Sequence, residues 1–107
     1  MIKKDCSNLQ KCHFQKTLNI LWGKWKIIIL WMLKDQKLRP SEMQKKIVEI
    51  TQKMLIQQLR ELESDELVQR KVFPVVPPKV EYSLTEKWEK IIPVLKMLDD
   101  WGEKNIK

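Results

Sequence analysis

Glycine is almost absent from this chain, with Gly23 and Gly102 the two in 107 residues. No glycine-rich loop can therefore bring backbone amides around a phosphate, which excludes the common nucleotide-binding motifs. Histidine is rarer still, with His13 alone. No Ser, Cys or Asp constellation accompanies it in a cleft-like context, and the carboxylates are scattered over helix faces, so nothing points to catalysis and no enzyme is expected. Cysteine is limited to Cys6 and Cys12. A zinc site made from these two and His13 would lack a fourth ligand and the usual spacing, so no metal and no cofactor are expected. The longest apolar run, Ile27 to Leu33, falls far short of the roughly 20 residues that cross a bilayer. Met1-Ile-Lys-Lys-Asp-Cys6 lacks the apolar stretch of a secretory signal. A cytoplasmic protein with no membrane partner is the expectation, and a reducing compartment would keep both cysteines as thiols.

What the chain has in quantity is positive charge. Lys and Arg number 21 against 14 Asp and Glu, giving a net charge of +7. Such a surface suits a polyanion, most often nucleic acid. The length allows one domain, residues 1–107, with a core small enough that a second subunit would usefully bury more apolar area. Residues 1–11 are polar and expected to be flexible.

Apolar residues recur at helical spacing from Lys16 to Lys34 and are interrupted once, at Trp22-Gly23-Lys24. This predicts a first helix ending near Trp22, a turn at Gly23, and a second helix from Lys24 to Leu33. Pro40-Ser-Glu opens a third helix with Met43, Ile47 and Val48 as its apolar positions. After a short turn at Glu49-Ile50, Thr51 is placed to cap a fourth helix running to about Asp65. Leu55, Leu59 and Leu62 form one stripe of that helix, and Lys53, Gln57, Arg60 and Ser64 fall on the opposite face. Its acidic residues gather at the C-terminal end, in Glu61, Glu63, Asp65 and Glu66.

Two β-rich runs follow, Leu67 to Phe73 and Lys79 to Leu84, separated by Pro74-Val-Val-Pro-Pro78. They predict a hairpin with a proline-stiffened tip. Thr85 then begins a long helix with Trp88, Ile91, Ile92, Leu95, Leu98 and Trp101 at spacings of three and four, which Pro93 should kink or split. The fold class expected is mainly α with a small β-hairpin wing, a winged helix-turn-helix. Its parts are the helix-turn-helix at 40–65, the wing at 67–84 and a dimerisation helix at 85–105.

Several strings in this frame strongly resemble the HxlR family of bacterial winged-helix regulators, which is related to the MarR type. They are Gly23-Lys-Trp-Lys before an apolar helix, Thr51-Gln-Lys-Met-Leu-Ile-Gln-Gln-Leu-Arg-Glu-Leu-Glu63, Val76-Pro-Pro-Lys-Val-Glu-Tyr-Ser-Leu-Thr-Glu86, Ile92-Pro-Val-Leu and Asp100-Trp-Gly-Glu103. The likeness covers nearly everything from Cys12 to Glu103. It implies a homodimer joined through its N- and C-terminal helices, operator binding by the fourth helix and the wing, and a cysteine at the position of Cys12 that in several members responds to oxidants or electrophiles. The chain departs from the pattern in three places: Val48-Glu49 replaces a usual Pro-Gly, Trp88 replaces a glycine, and His13 stands where proline often follows the cysteine. The turn, the dimer packing and the surroundings of the Cys12 sulfur are therefore expected to differ in detail.

The residues assigned to double-stranded DNA are Thr51, Gln52, Lys53, Gln57, Arg60, Lys79 and Lys24. Arg and Lys donate to guanine O6 and N7, and Gln pairs with adenine N6 and N7. A solvated helix face would look the same in isolation; its place between a helix-turn-helix and a basic wing favours the DNA reading. Arg70 and Lys71 are as compatible with plain surface as with phosphate. Trp25, Trp31 and Trp101 lie on apolar stripes, which favours core or interface over base stacking. The dimer contact is assigned to Leu18, Leu21, Trp88, Leu95, Leu98 and Trp101. Cys12, with Cys6, is either a sensor whose thiolate Lys11 and His13 would favour or a pair of inert thiols. Two-fold symmetry implies a pseudo-palindromic operator, and a small-molecule or oxidant effector fits such a regulator. The competing reading is a winged-helix module that binds another protein and no specific DNA.

Overall fold

The computed structural model describes residues 12–106; the segment 1–11 expected to be flexible, with Cys6, lies outside them. The described elements are α1 (His13–Leu21), α2 (Lys24–Met32), α3 (Pro40–Lys46), α4 (Gln52–Ser64), β1 (Val68–Phe73), β2 (Lys79–Leu84), α5 (Glu86–Glu89) and α6 (Ile92–Asn105). The molecule is mainly helical with one antiparallel hairpin, as the sequence predicts. No helix among the described residues is long and apolar enough to cross a membrane.

Helix α1 starts at His13, ahead of the expected Lys16, and the Lys16 N–H donates to the Cys12 carbonyl at 3.0 Å. The break after it depends on Gly23, whose φ of 123° lies where a side chain is strained. Helix α2 follows at once and buries Ile29 and Leu30. Helix α3 opens with Pro40 in its first turn, and the Glu42 carboxylate accepts the Arg39 backbone N–H at 2.8 Å. Met43 and Ile47 are buried, but Val48 is 87% exposed. The expected third apolar position is thus corrected: α3 ends at Lys46, so Val48 leaves the helical period and points outward in the turn. That turn forms without Pro-Gly because no left-handed residue is needed; among described non-glycine residues only Glu66 has positive φ.

The buried stripe of α4 is the expected one, Leu55, Leu59 and Leu62, each at 0% exposure. Thr51 caps its start by accepting the Met54 N–H at 3.1 Å. Its end is a Schellman turn, with Leu67 N–H donating to Leu62 O at 2.9 Å and Glu66 N–H to Glu63 O at 3.0 Å. Leu62 and Leu67, the two apolar partners of that motif, are both fully buried.

In the hairpin, Val68 pairs with Leu84, Arg70 with Tyr82, and Phe73 with Lys79. A third edge comes from Leu38, in the link between α2 and α3, which exchanges two backbone hydrogen bonds with Tyr82 at 2.8 and 3.0 Å. One residue has no period, so this pairing had no sequence signal. Pro93 splits the last helix: α5 ends at Glu89, and the proline falls in the first turn of α6, where its missing N–H goes unused. The core joins α2, α3, α4 and the base of the hairpin, with Trp25, Trp88, Ile91 and Ile92 packed against it.

Candidate nucleic-acid interface

Burial of the leucine stripe fixes the rotation of α4, and this leaves Lys53, Gln57 and Arg60 exposed together on its outer side. With Gln52, Ile56 and Glu61 they line a hollow of about 650 Å³ along the helix. Gln52 is exposed at the N-terminus, whereas the Thr51 hydroxyl is already engaged in the cap. Lys24 reaches the turn before α4, where it meets Glu49 at 3.7 Å, and its ammonium also lies 4.6 Å from the Trp25 ring centre. The backbone thus brings Lys24 beside the start of α4 with its charge partly shared.

The wing carries its cations unevenly. Lys71 and Lys79 flank the Phe73 ring at 5.0 and 5.1 Å, on the face opposite that of Arg70 and Tyr82. Lys79 also pairs with Glu81 at 3.4 Å. The wing tip is apolar, with Val76 fully exposed beside Pro77 and Pro78. Between the tip and the start of α3 lies a hollow of about 450 Å³ lined by Arg39, Ser41, Val75, Val76 and Lys79 among others. Arg39 was not singled out from sequence, although its place just before Pro40 marks a helix start. Glu42 beside it is held below its ordinary pKa, first by the Arg39 backbone N–H and further by the charges of Arg39 and Lys79.

Lys26 is the second residue missed. It pairs with Glu61 across the α2–α4 contact at 2.8 Å. Glu61 is held below its ordinary pKa chiefly by that hydrogen bond and the ammonium charge, with a smaller contribution from the Gln57 amide. Its place directly before a seven-residue apolar run is the signal that could have found it, since a lysine packed there needs a partner.

The residues assigned to a dimer contact divide. Leu21 and Leu95 are buried within the protomer, Trp88 packs on its core, and Leu18 is half-buried. Leu98 and Trp101 are exposed, together with Val94 and Met97. Trp25 packs against the core, Trp31 is half-buried with the Lys34 ammonium 4.5 Å from its ring centre, and Trp101 is 60% exposed. Cys12, expected as a thiol, is disulfide-bonded and 3% exposed at the start of α1. Among the described residues no group of His, Cys, Asp or Glu could hold a metal ion.

A short helix pair, a helix with an exposed cationic and amide face, and an adjoining basic hairpin together define a winged helix-turn-helix. The HxlR-like helix-turn-helix family model matches residues 20–107. An uncharacterised HTH-type transcriptional regulator of Halalkalibacterium halodurans is 48% identical over 104 residues, spanning 96% of this chain and 92% of that protein. The redox regulator HypR in its oxidised form superposes with a TM-score of 0.84 at 45% identity, covering 90% of this chain and 99% of that one. The reduced form of the transcriptional regulator YodB from B. subtilis gives 0.76 at 34% identity, covering 90% and 95%. The chain belongs to the HxlR-like helix-turn-helix family of DNA-binding transcriptional regulators.

Proposed function

We propose that this chain acts as a homodimer on a pseudo-palindromic operator, each protomer placing α4 in the major groove and the wing along the neighbouring phosphates. The observation that carries the reading is the exposed Lys53, Gln57 and Arg60 face of a helix locked from behind by three fully buried leucines. Gln57 and Arg60 supply base-edge contacts; Lys79, Lys24 and the α4 N-terminus with Thr51 and Gln52 supply phosphate contacts. Half-sites then lie about 34 Å apart, one turn of the duplex. The partner face is the exposed part of α6, Leu98 and Trp101 with Met97, and the N-terminal helix beside Leu18. Occupancy of the operator regulates transcription sterically, a binding role that needs no enzyme chemistry or cofactor, and a cytoplasmic location follows from it.

The test is affinity for operator duplex across a salt series. Each phosphate neutralised by a Lys or Arg adds about −0.9 to the log–log slope, so Lys24 and Lys79 of both protomers give a slope of about −3.6 for the dimer. A flat dependence would leave the protein-binding module as the better reading.

A redox response through Cys12 is supported by its buried, disulfide-bonded position at the start of α1 and by the likeness to the redox regulator HypR. A change at that sulfur would act on the helix assigned to the dimer contact and so on half-site geometry. Operator binding of wild type, Cys12→Ser and Cys6→Ser is measured before and after peroxide or quinone and again after reduction. Cys12→Ser should be unresponsive; a response equal to that of wild type would remove the role.

A further inference from the structure

Glu61 stands one helical turn beyond Gln57 and lines the same hollow. A carboxylate there would ordinarily repel DNA and move freely. Here Lys26 grips it at 2.8 Å, and the lysine side chain is only 12% exposed, against 23% to 65% for the cations of the other ion pairs among the described residues. With its stem packed down in this way the lysine has few other conformations, so less side-chain entropy is lost in holding this pair than in an open surface pair. Lys26 itself is fixed, because its neighbours Trp25 and Ile27 pack against the core. Glu61 is therefore an acceptor paired on one side with Lys26 and open on the reading side of α4.

The Gln57 amide, one turn back on the same face, contributes a weaker hydrogen-bonding influence on that carboxylate than Lys26 does. A glutamine amide presents a donor at one end and an acceptor at the other, and in isolation its two orientations are nearly equivalent. A carboxylate accepts only, so an amide that bonds to Glu61 does so through its NH₂, which leaves its carbonyl oxygen facing outward. One N–H and the C=O remain for a ligand. Adenine offers the complement, an N6–H donor beside the N7 acceptor. Guanine offers two acceptors, thymine an acceptor and a methyl group, and cytosine only a donor. Resting on the reading that α4 enters the major groove, we infer that Lys26 and Glu61 are positioning residues that orient the Gln57 amide and so make adenine the base it selects.

The experiment selects duplexes from a randomised DNA library with the full chain, then measures affinity for the selected site with each base at every position. Wild type should favour adenine at one position of each half-site by about tenfold over other bases. Gln57→Ala should abolish that preference. Glu61→Gln keeps the shape but lets the facing amide either donate or accept, so the preference should fall to about twofold. Because the Lys26 charge is then no longer compensated beside the phosphates, overall affinity should hold or rise. Falling selectivity with undiminished affinity is not what structural damage produces. Lys26→Arg should retain the adenine preference and Lys26→Met should lose it, with a melting curve to show that each variant folds. Unchanged selectivity in Glu61→Gln overturns the proposal, as does a base other than adenine at the position that Gln57→Ala relaxes. If Gln57→Ala changes no position while salt-dependent duplex binding persists, the relay has no reader and is overturned, with the proposed function intact. Absence of salt-dependent binding overturns both.

Discussion

Replacing Leu98 by Glu puts a carboxylate in the middle of the exposed side of α6. Leu98 is 62% exposed in the protomer, so the change should leave the fold in place. Full burial of a leucine is worth about 1.5–3 kcal/mol, and the share of Leu98 still open to a partner corresponds to about 1–2 kcal/mol per protomer. Twofold symmetry counts the site twice, giving about 2–4 kcal/mol, or roughly 30- to 700-fold in the dimer dissociation constant. Desolvation of two carboxylates adds to that figure. Sedimentation equilibrium at micromolar concentration should show wild-type dimer and Leu98→Glu monomer, with equal helix content by circular dichroism. Operator affinity should fall with the dimer, since a lone protomer reaches one half-site. The neighbouring Leu95 is no substitute: at 7% exposure a charge there enters the protomer's own packing, so loss of the dimer could not be told from loss of stability. A Leu98→Glu protein that dimerises with wild-type affinity, or a monomer that binds operator at full strength, would refute the assignment of this face.

Arg60→Ala should weaken operator binding by about 1–3 kcal/mol and relax one base position, whereas Lys79→Ala should weaken specific and random duplexes alike, as competition binding will show. Glu66 adopts φ of 63° in the Schellman turn, so Glu66→Gly should raise stability by about 1 kcal/mol in denaturant titration. The Glu61 carboxyl is held below its ordinary pKa by Lys26 and Gln57. Its contribution is therefore present above the unfolded-state pKa and lost as pH falls through the lower folded value. Wild type should melt above Glu61→Gln at neutral pH, and the difference should vanish on acidification below the carboxylate range. An acid-insensitive difference would mean that the ion pair contributes nothing measurable.

Much of the molecule follows from relations within a few residues. The Leu55, Leu59 and Leu62 stripe, the Thr51 cap, the Gly23 break and the proline split at Pro93 are set by helical period, side-chain capping and φ restriction, all visible in the linear order. The outward set Lys53, Gln57 and Arg60 follows from the same period. Val48 shows where such reasoning ends, since a period extrapolates past a helix terminus that the turn decides.

What tertiary structure alone decided is which neighbour each face receives. The last helix has one apolar stripe in sequence, yet burial along α6 stops with its first turn, at Ile92 and Leu95, while Leu98 and Trp101 stay exposed. The Leu38–Tyr82 pairing and the Lys26–Glu61 bridge join segments far apart in the chain. Neither has a local pattern, because a single hydrogen-bonded residue or a single ion pair acquires its partner only when packing brings two elements together. Local periodicity sets which residues can face the core or the solvent, and packing then chooses among them.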